Sequence, residues 1–383
     1  MKRNKILAAA IVATLTSPLQ AIADTANVNV YGKFDLSYDL VNTGTATNGT
    51  AGTTVGRVSS NTSRIGLKGS EDIGDGLSAI WQVESQLYVG DATVATLGTR
   101  NTYAGFKGDS FGTVLAGRHD TPYRLSTRRL DVFPDGVADN RSIFGGVAGT
   151  SAATAFDGRQ NQVVVYISPK IGGLTGAIGY VNLNPSLTVG TVGAASTTSK
   201  QTALSLAGWY DANGFYGSAA YEVHNLAVTA GTAGTAAAAS ATAVTVSEKA
   251  TRMGFGYTQD LFNVNAAYEK TSDDYGVANA NKYGHSAIYV SGKFNLSDSN
   301  AIKAALTKQG NVGGVANTGV SQYSLGFDHN FSKRTTVYAL YSKIRNGSAA
   351  SYGLSSNGTA GASSIVGAGA SPSVIAAGVS HTF

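Results

Sequence analysis

One pattern limits this chain more than any other: residues alternate in chemistry along its length, in segment after segment. Over Asn27–Leu40 the even positions are Val28, Val30, Gly32, Phe34, Leu36, Tyr38 and Leu40, none of them ionisable. The odd positions are Asn27, Asn29, Tyr31, Lys33, Asp35, Ser37 and Asp39. A period of two places these sets on opposite faces of a strand. Phe215–His224 and Val264–Glu269 repeat the pattern. Sixteen such segments run from 28–40 to 374–383, and no stretch has the periodicity of an amphipathic helix of ordinary length.

The connections alternate as well. Seven short turns, among them Asp72–Asp75, Gly108–Ser110 and Asp211–Gly214, are interleaved with eight longer loops: 41–58, 89–99, 119–159, 184–200, 225–249, 271–284, 309–320 and 346–373. All turns then fall at one end of the sheet and all loops at the other. A soluble sandwich has no need of that polarity, whereas a barrel crossing a membrane does, with short periplasmic turns and long extracellular loops. Only a closed barrel satisfies every backbone group of a sheet in lipid. The expected fold is therefore all-β, a 16-stranded antiparallel transmembrane barrel in one domain.

Composition agrees. Charged residues are 13% of the 383, about half the roughly 25% of soluble domains. The absence of cysteine excludes disulfide scaffolds, thiol nucleophiles and Cys-ligated zinc. The formal charge of +5 is too small to argue for nucleic acid. Part of it belongs to the first 23 residues, where Met1-Lys2-Arg3-Asn4-Lys5, an apolar stretch Ile6–Leu15 and Ala21-Ile22-Ala23 read as a secretory signal peptide. Its removal takes Lys2, Arg3 and Lys5, lowering the net charge to +2 over 24–383. No run of 18 or more apolar residues follows that would make a transmembrane helix. The uncharged stretch Asn225–Ser247 reads as a loop.

Catalytic chemistry is missing. His119-Asp120 with Ser126 nearby lacks the spacing of a hydrolase triad. The five histidines show no metal-ligand spacing, and no phosphate-binding or dinucleotide fingerprint occurs. Asp273-Asp274 reads as a solvated loop pair before it reads as a calcium site. No cofactor is implied, and the metal content is left open.

Segment 119–159 stands apart from the other loops. It is the longest connection and rich in charge, with Asp120, Arg124, Arg128, Arg129, Asp131, Asp135, Asp139, Arg141, Asp157 and Arg159, whereas 184–199, 225–247 and 346–373 carry none. A structureless loop of that length is uncommon unless functional. The four-residue spacing of Asp131, Asp135 and Asp139 fits either one face of a short helical turn or simply spaced loop acids. Alternation puts Arg64 and Lys68 opposite Ile65 and Leu67, toward water, and Lys33 on the same inner face of the first strand. Val163, Val164, Val165 and Ile167 fill both faces of the sixth strand, so either that inner wall is apolar or the long loop covers it.

The segments Val30-Tyr31-Gly32-Lys33, Ser63-Arg64-Ile65-Gly66-Leu67-Lys68-Gly69-Ser70-Glu71-Asp72, Phe111-Gly112-Thr113 with Ala116-Gly117-Arg118, and the terminal Phe383 resemble the general, trimeric porins of Gram-negative bacteria, especially the beta-proteobacterial branch. The resemblance implies an outer-membrane homotrimer among lipid and lipopolysaccharide, with Phe383 similar to the signal read by the barrel assembly machinery. It implies that the third long loop folds into the lumen and faces a basic cluster matched here by Lys33, Arg64, Arg118 and Arg159. The function it implies is passive diffusion of small hydrophilic solutes and ions. A basic wall and a net charge of +2 predict a weak preference for anions. A sugar-selective channel would show an aromatic track, of which only Tyr31 and Tyr216 are candidates. An adhesin on the same barrel would carry more elaborate loops than these Ala/Thr/Gly stretches.

Overall fold

In the computed structural model, residues 27–90, 96–145, 156–183, 201–229, 243–272, 284–354 and 366–383 are described. The proposed signal segment and Asp273-Asp274 lie outside them. The first half of the sheet comprises β1 (Val28–Asn42), β2 (Thr54–Ser60), β3 (Arg64–Gly74), β4 (Leu77–Gln86), β5 (Thr102–Gly108), β6 (Gly112–Asp120), β7 (Arg159–Ile167) and β8 (Leu174–Asn182). The second half comprises β9 (Thr202–Ala212), β10 (Phe215–Thr229), β11 (Ala243–Thr258), β12 (Phe262–Ser272), β13 (Ser286–Asn295), β14 (Asn300–Gln309), β15 (Val320–Asn330), β16 (Thr335–Asn346) and β17 (Ser373–Thr382).

Every neighbour is antiparallel. β2 and β3 pair with consecutive stretches of β1, Leu36–Asn42 and Val28–Lys33, and so form one interrupted stave. The seventeen strands thus make sixteen staves. β1 pairs with β17 from Lys33↔Thr382 to Asn42↔Ser373, and the barrel closes.

Alternation decides which side of each stave meets lipid. On β1, Phe34, Tyr38 and Leu40 are 41%, 56% and 47% exposed on the outside, while Asp35, Ser37 and Asp39 are buried inside. The short turns use residues suited to reversing a twisted hairpin. Asp75-Gly76 has φ of 53° and 71°, and Asn213-Gly214 has 53° and 78°. Two successive left-handed residues match the twist of the flanking strands.

Two boundaries differ from the sequence reading. The strand expected at 59–71 begins at Thr54 and breaks at Asn61-Thr62-Ser63, where Thr62 takes φ 55°. Those residues turn their polar groups inward. Asn61 Nδ2 donates to Ser37 Oγ and Tyr338 OH, both at 2.9 Å, and Thr62 Oγ1 donates to the Asp135 carbonyl at 3.1 Å. At both ends of the loop expected at 225–249, residues 225–229 and 243–249 instead lengthen the β10–β11 hairpin, with register pairs out to Thr229↔Ala243. Its Val and Thr residues suit a strand, a preference that low charge and high alanine content obscured.

The seam shows how closely closure constrains sequence. Gly32 and Phe383 exchange backbone hydrogen bonds at 3.1 and 3.2 Å, and the Phe383 ring stacks on Phe34 at 5.7 Å. A Cβ on Gly32 would lie 2.4 Å from Phe383 Cζ and 2.7 Å from the Arg64 carbonyl oxygen. Gly32→Val should displace the terminal ring and destabilise the barrel by about 1–3 kcal/mol, the usual cost of overpacking. The check is the temperature at which the folded band converts to the unfolded one on a gel, which should fall.

Candidate pore constriction

After β6 the chain turns into the barrel instead of out to solvent. Thr121 Oγ1 caps the helix α1 (Pro122–Arg128) by accepting from the Arg124 amide at 3.4 Å, and Pro122 occupies its first turn. α1 packs on the inner wall. The Tyr123 amide donates to Ser205 Oγ on β9 (2.9 Å), and Tyr216 OH on β10 donates to the Ser126 carbonyl (2.5 Å). The segment then crosses the lumen. The Val132 amide donates to Tyr289 OH on β13 at 3.2 Å, Phe133 lies under Lys303 Nζ of β14 at 4.8 Å, and Asp135 reaches β1 and β3. Val137 and Ile143 pack on Val320 and Ile344 of β15 and β16.

The return path is held by Arg252 on β11, a fully buried side chain. Its guanidinium pairs with Asp157 (2.6 Å) and Glu269 (2.5 Å) and stacks over Tyr123 and Phe144 at 4.2 and 4.6 Å. One arginine thus ties both limbs of the inserted segment to the wall. A charge buried this deeply is tolerated only with its partners in place. Sequence reading placed Glu269 on a polar strand face but assigned no role to it or to Arg252. Their inward strand positions were the available signal.

The three aspartates do not share a helical face, because α1 ends at Arg128. Asp131 accepts from the Phe133 and Asn140 amides (2.9 and 3.2 Å) and from Tyr289 OH (2.9 Å). Asp139 caps the short 3-10 turn Asn140–Ser142 through the Arg141 amide at 2.8 Å and receives Arg128 at 3.3 Å and Arg141 at 3.2 Å. Asp135 takes the left-handed conformation (φ 71°), which aspartate adopts more readily than most residues. Its carboxylate accepts from Lys33 Nζ at 3.2 Å and Arg64 Nη1 at 3.1 Å, with Arg128 at 3.7 Å.

These surroundings separate the acids. Burial raises Asp135, but Lys33, Arg64, Arg128 and Arg141 outweigh it and hold its carboxyl well below the usual range. Burial also raises Asp139, and Arg128 and Arg141 reverse that. Asp131 goes the other way: burial, then the neighbouring Asp139 charge, push it up to about 6.

A second cluster stands on the wall beside the first. Arg159 and Arg124 each approach Asp120 to 3.2 Å, and Arg159 Nε bonds Asn101 at 2.5 Å. Glu84 joins Arg100, Tyr31 (3.0 Å) and Arg64 (3.9 Å). Glu84 and Arg100 went unrecognised in the sequence, where neither stands in a distinctive motif.

Lys68 and Arg118 lie elsewhere. Lys68 sits four residues nearer the turn end than Arg64, ~13 Å along the strand, with its ammonium 5.1 Å from the Tyr31 ring centroid. Arg118 falls at a register break between Gly117 and His119 and donates to the Thr99 carbonyl (2.9 Å) and Asn161 Oδ1 (2.6 Å). Arg129, at the end of α1, faces Asp211 at 2.6 Å and covers Tyr216. Tyr31 and Tyr216 stand on distant staves and form no continuous track. His119 Nδ1 contacts the Asp120 carbonyl and Ser126 donates to the Tyr123 carbonyl, so each is engaged locally. Among the described residues no three acids or histidines are arranged around a metal.

A closed sixteen-stave barrel narrowed by its third long loop is a pore architecture, and the comparisons agree. A family model described as Gram-negative porin matches residues 8–349. The chain belongs to the Gram-negative porin family. It is 25% identical over 405 residues to outer membrane porin protein 32 of Delftia acidovorans, with both chains fully covered. It is also 25% identical to the major outer membrane protein P.IA of Neisseria meningitidis serogroup C, over 87% of this chain and 92% of that one. Among solved structures, an anion-selective porin from Comamonas acidovorans superposes with a TM-score of 0.72 at 22% identity, covering 94% of this chain and all of the other. Such porins are channels of the outer membrane and not enzymes.

In this porin the apolar sixth strand expected from the sequence is β7. Val163 and Val165 point inward and cluster with Leu115, Val181 and Ala203, beside the start of the inserted segment at Pro122 and Gly179. Val164 faces lipid.

The raised Asp131 gives a pH test. Above about pH 6 its carboxyl is charged and below it is neutral, so acidification removes one negative charge from the inserted segment. The anion-to-cation permeability ratio in planar bilayers should therefore rise as pH falls from neutral through that range. Asp131→Asn should flatten that part of the response.

Proposed function

We propose that this porin passes small hydrophilic solutes and ions by passive diffusion with a weak preference for anions, and that the contact between the inserted segment and the wall is its constriction. The supporting observation is how deep the two signs of charge lie. The side chains of Asp131 and Asp139 are 1% and 0% exposed, whereas those of Arg128, Arg141 and Arg64 keep 20%, 20% and 24%. The two deepest carboxylates form the floor of the site, the Asp135 side chain keeps 16%, and the three arginines reach furthest toward the lumen. A permeating ion meets the cations first, and a low-dielectric wall strengthens the field that it feels. The similar Comamonas acidovorans porin is described as anion-selective.

In this reading Lys33, Arg64 and Arg159 form the basic wall, with Lys68 and Arg118 at its approaches. Arg124, Arg128, Arg129, Asp131, Asp135 and Asp139 shape the loop opposite. Export through a cleaved leader rests on the basic-apolar-small order of residues 1–23. Assembly as a homotrimer among lipopolysaccharide, delivered by the barrel assembly machinery through Phe383, rests on family resemblance.

The test is the reversal potential of the purified porin in a potassium chloride gradient. The sign should report chloride as the more permeant ion, and a cation-preferring sign would contradict the proposal. Arg64→Gln and Arg128→Gln should each lower the anion-to-cation ratio by roughly two- to fivefold, the scale of one partly screened charge.

A further inference from the structure

On the turn side of the inserted segment, a 440 Å³ cavity lies between residues 129–138 and the wall formed by β12–β17 and β1. It differs in chemistry from the arginine-covered constriction. One side is apolar, made by Val132, Phe133, Pro134 and Val137 of the inserted segment with Leu340 of β16. The other side is cationic. Four basic side chains, Lys33, Arg129, Lys293 and Lys303, line the cavity together with Asp35, Asp131 and Asp328.

Three of the four bases already have carboxylate partners. Lys33 is occupied by Asp35 and Asp135, Arg129 by Asp211, and Lys303 by Asp328 at 2.9 Å with its ammonium over the Phe133 ring. Lys293 faces the cavity with no carboxylate partner among the described residues. It is also the direct cross-strand partner of Lys303. Two like charges directly opposite on one face of a sheet are unfavourable. Asp328 already compensates Lys303, and an anion on Lys293 would supply the missing counter-charge. Pockets of 300–1,000 Å³ with apolar walls and a few convergent polar groups are the usual form of a small-molecule site.

We propose that this cavity is a binding subsite for small amphiphilic organic anions, monocarboxylates with an aromatic or short aliphatic body. The carboxylate would sit on Lys293 beside Lys303, and the hydrocarbon would lie along Phe133 and Val137. The proposal rests on the channel reading, because the solute must reach the lumen. It adds a ligand class that a charge-lined constriction does not select. A purely hydrophilic anion would leave the apolar wall unused and bind less well.

Benzoate and acetate, added to the turn side of the porin in planar bilayers, separate the possibilities. Benzoate should reduce the chloride current saturably, at a lower half-blocking concentration than acetate. Lys293→Gln should raise that concentration about tenfold, equivalent to ~1.4 kcal/mol, and Lys293→Arg should keep it near the original value. Phe133→Ala should weaken benzoate and leave acetate unchanged. Equal action of benzoate and acetate, or an unchanged half-blocking concentration in Lys293→Gln, would overturn the proposal. A cation-preferring reversal potential would overturn the selectivity reading alone, since saturable block and its Lys293 dependence are measured independently of it.

Discussion

Backbone amides and carbonyls inside hydrocarbon have no water to bond, so a sheet that crosses a membrane must have no edges. Everything else in this porin follows from that closure. The β1–β17 ladder supplies it, and the reciprocal Gly32–Phe383 backbone pair completes the seam. Once the sheet is closed, strand alternation gives the staves an apolar outside and, apart from the valine-lined patch around β7, a polar inside, and the charges that the composition lacks on the exterior collect in the lumen. The low charged fraction is thus a consequence of geometry.

A polar lumen can hold a polar plug. The described residues of segment 119–159 stay inside because they exchange water for specific partners: backbone amides for Asp131 and Asp139, wall cations for Asp135, and Arg252 at the root. Ion pairs that are this buried give little net stability relative to an apolar replacement, but breaking one is costly. They act here as locators that fix where the segment lies. The break between β2 and β3 belongs to the same arrangement. By leaving regular pairing, Thr62 can donate to the Asp135 carbonyl at the tip of the loop, while Asn61 and Ser63 bond wall residues. Asp131 and Asp139 are buried in making these contacts, whereas Arg64, Arg128 and Arg141 stay nearer the water and Arg252 is buried with its partners.

The fold was legible because it depends on periodicity. The alternation in Asn27–Leu40 and the rhythm of short and long connections were enough to indicate sixteen staves, and the charge density of 119–159 singled out the loop that enters. Legibility failed where a contact joins residues far apart in sequence without a local signature. Glu84, Arg100 and Arg252 look like ordinary strand or loop charges until the barrel brings them to their partners. The spacing of Asp131, Asp135 and Asp139 alone fits both a helical face and spaced loop acids, and the end of α1 at Arg128 with the left-handed backbone at Asp135 decides for the latter. Lys68 shares the inner face with Arg64, as alternation required, yet alternation carries no information on depth along the pore.

The central claim is that the third long loop, held by Asp135 and Arg252, narrows the lumen. Single-channel conductance after excision of residues 130–143, with the flanks joined by a short glycine linker, tests it most directly. A marked rise in conductance together with a larger limiting solute is the predicted result. A folded barrel with unchanged conductance and size limit would show that the segment does not form the constriction.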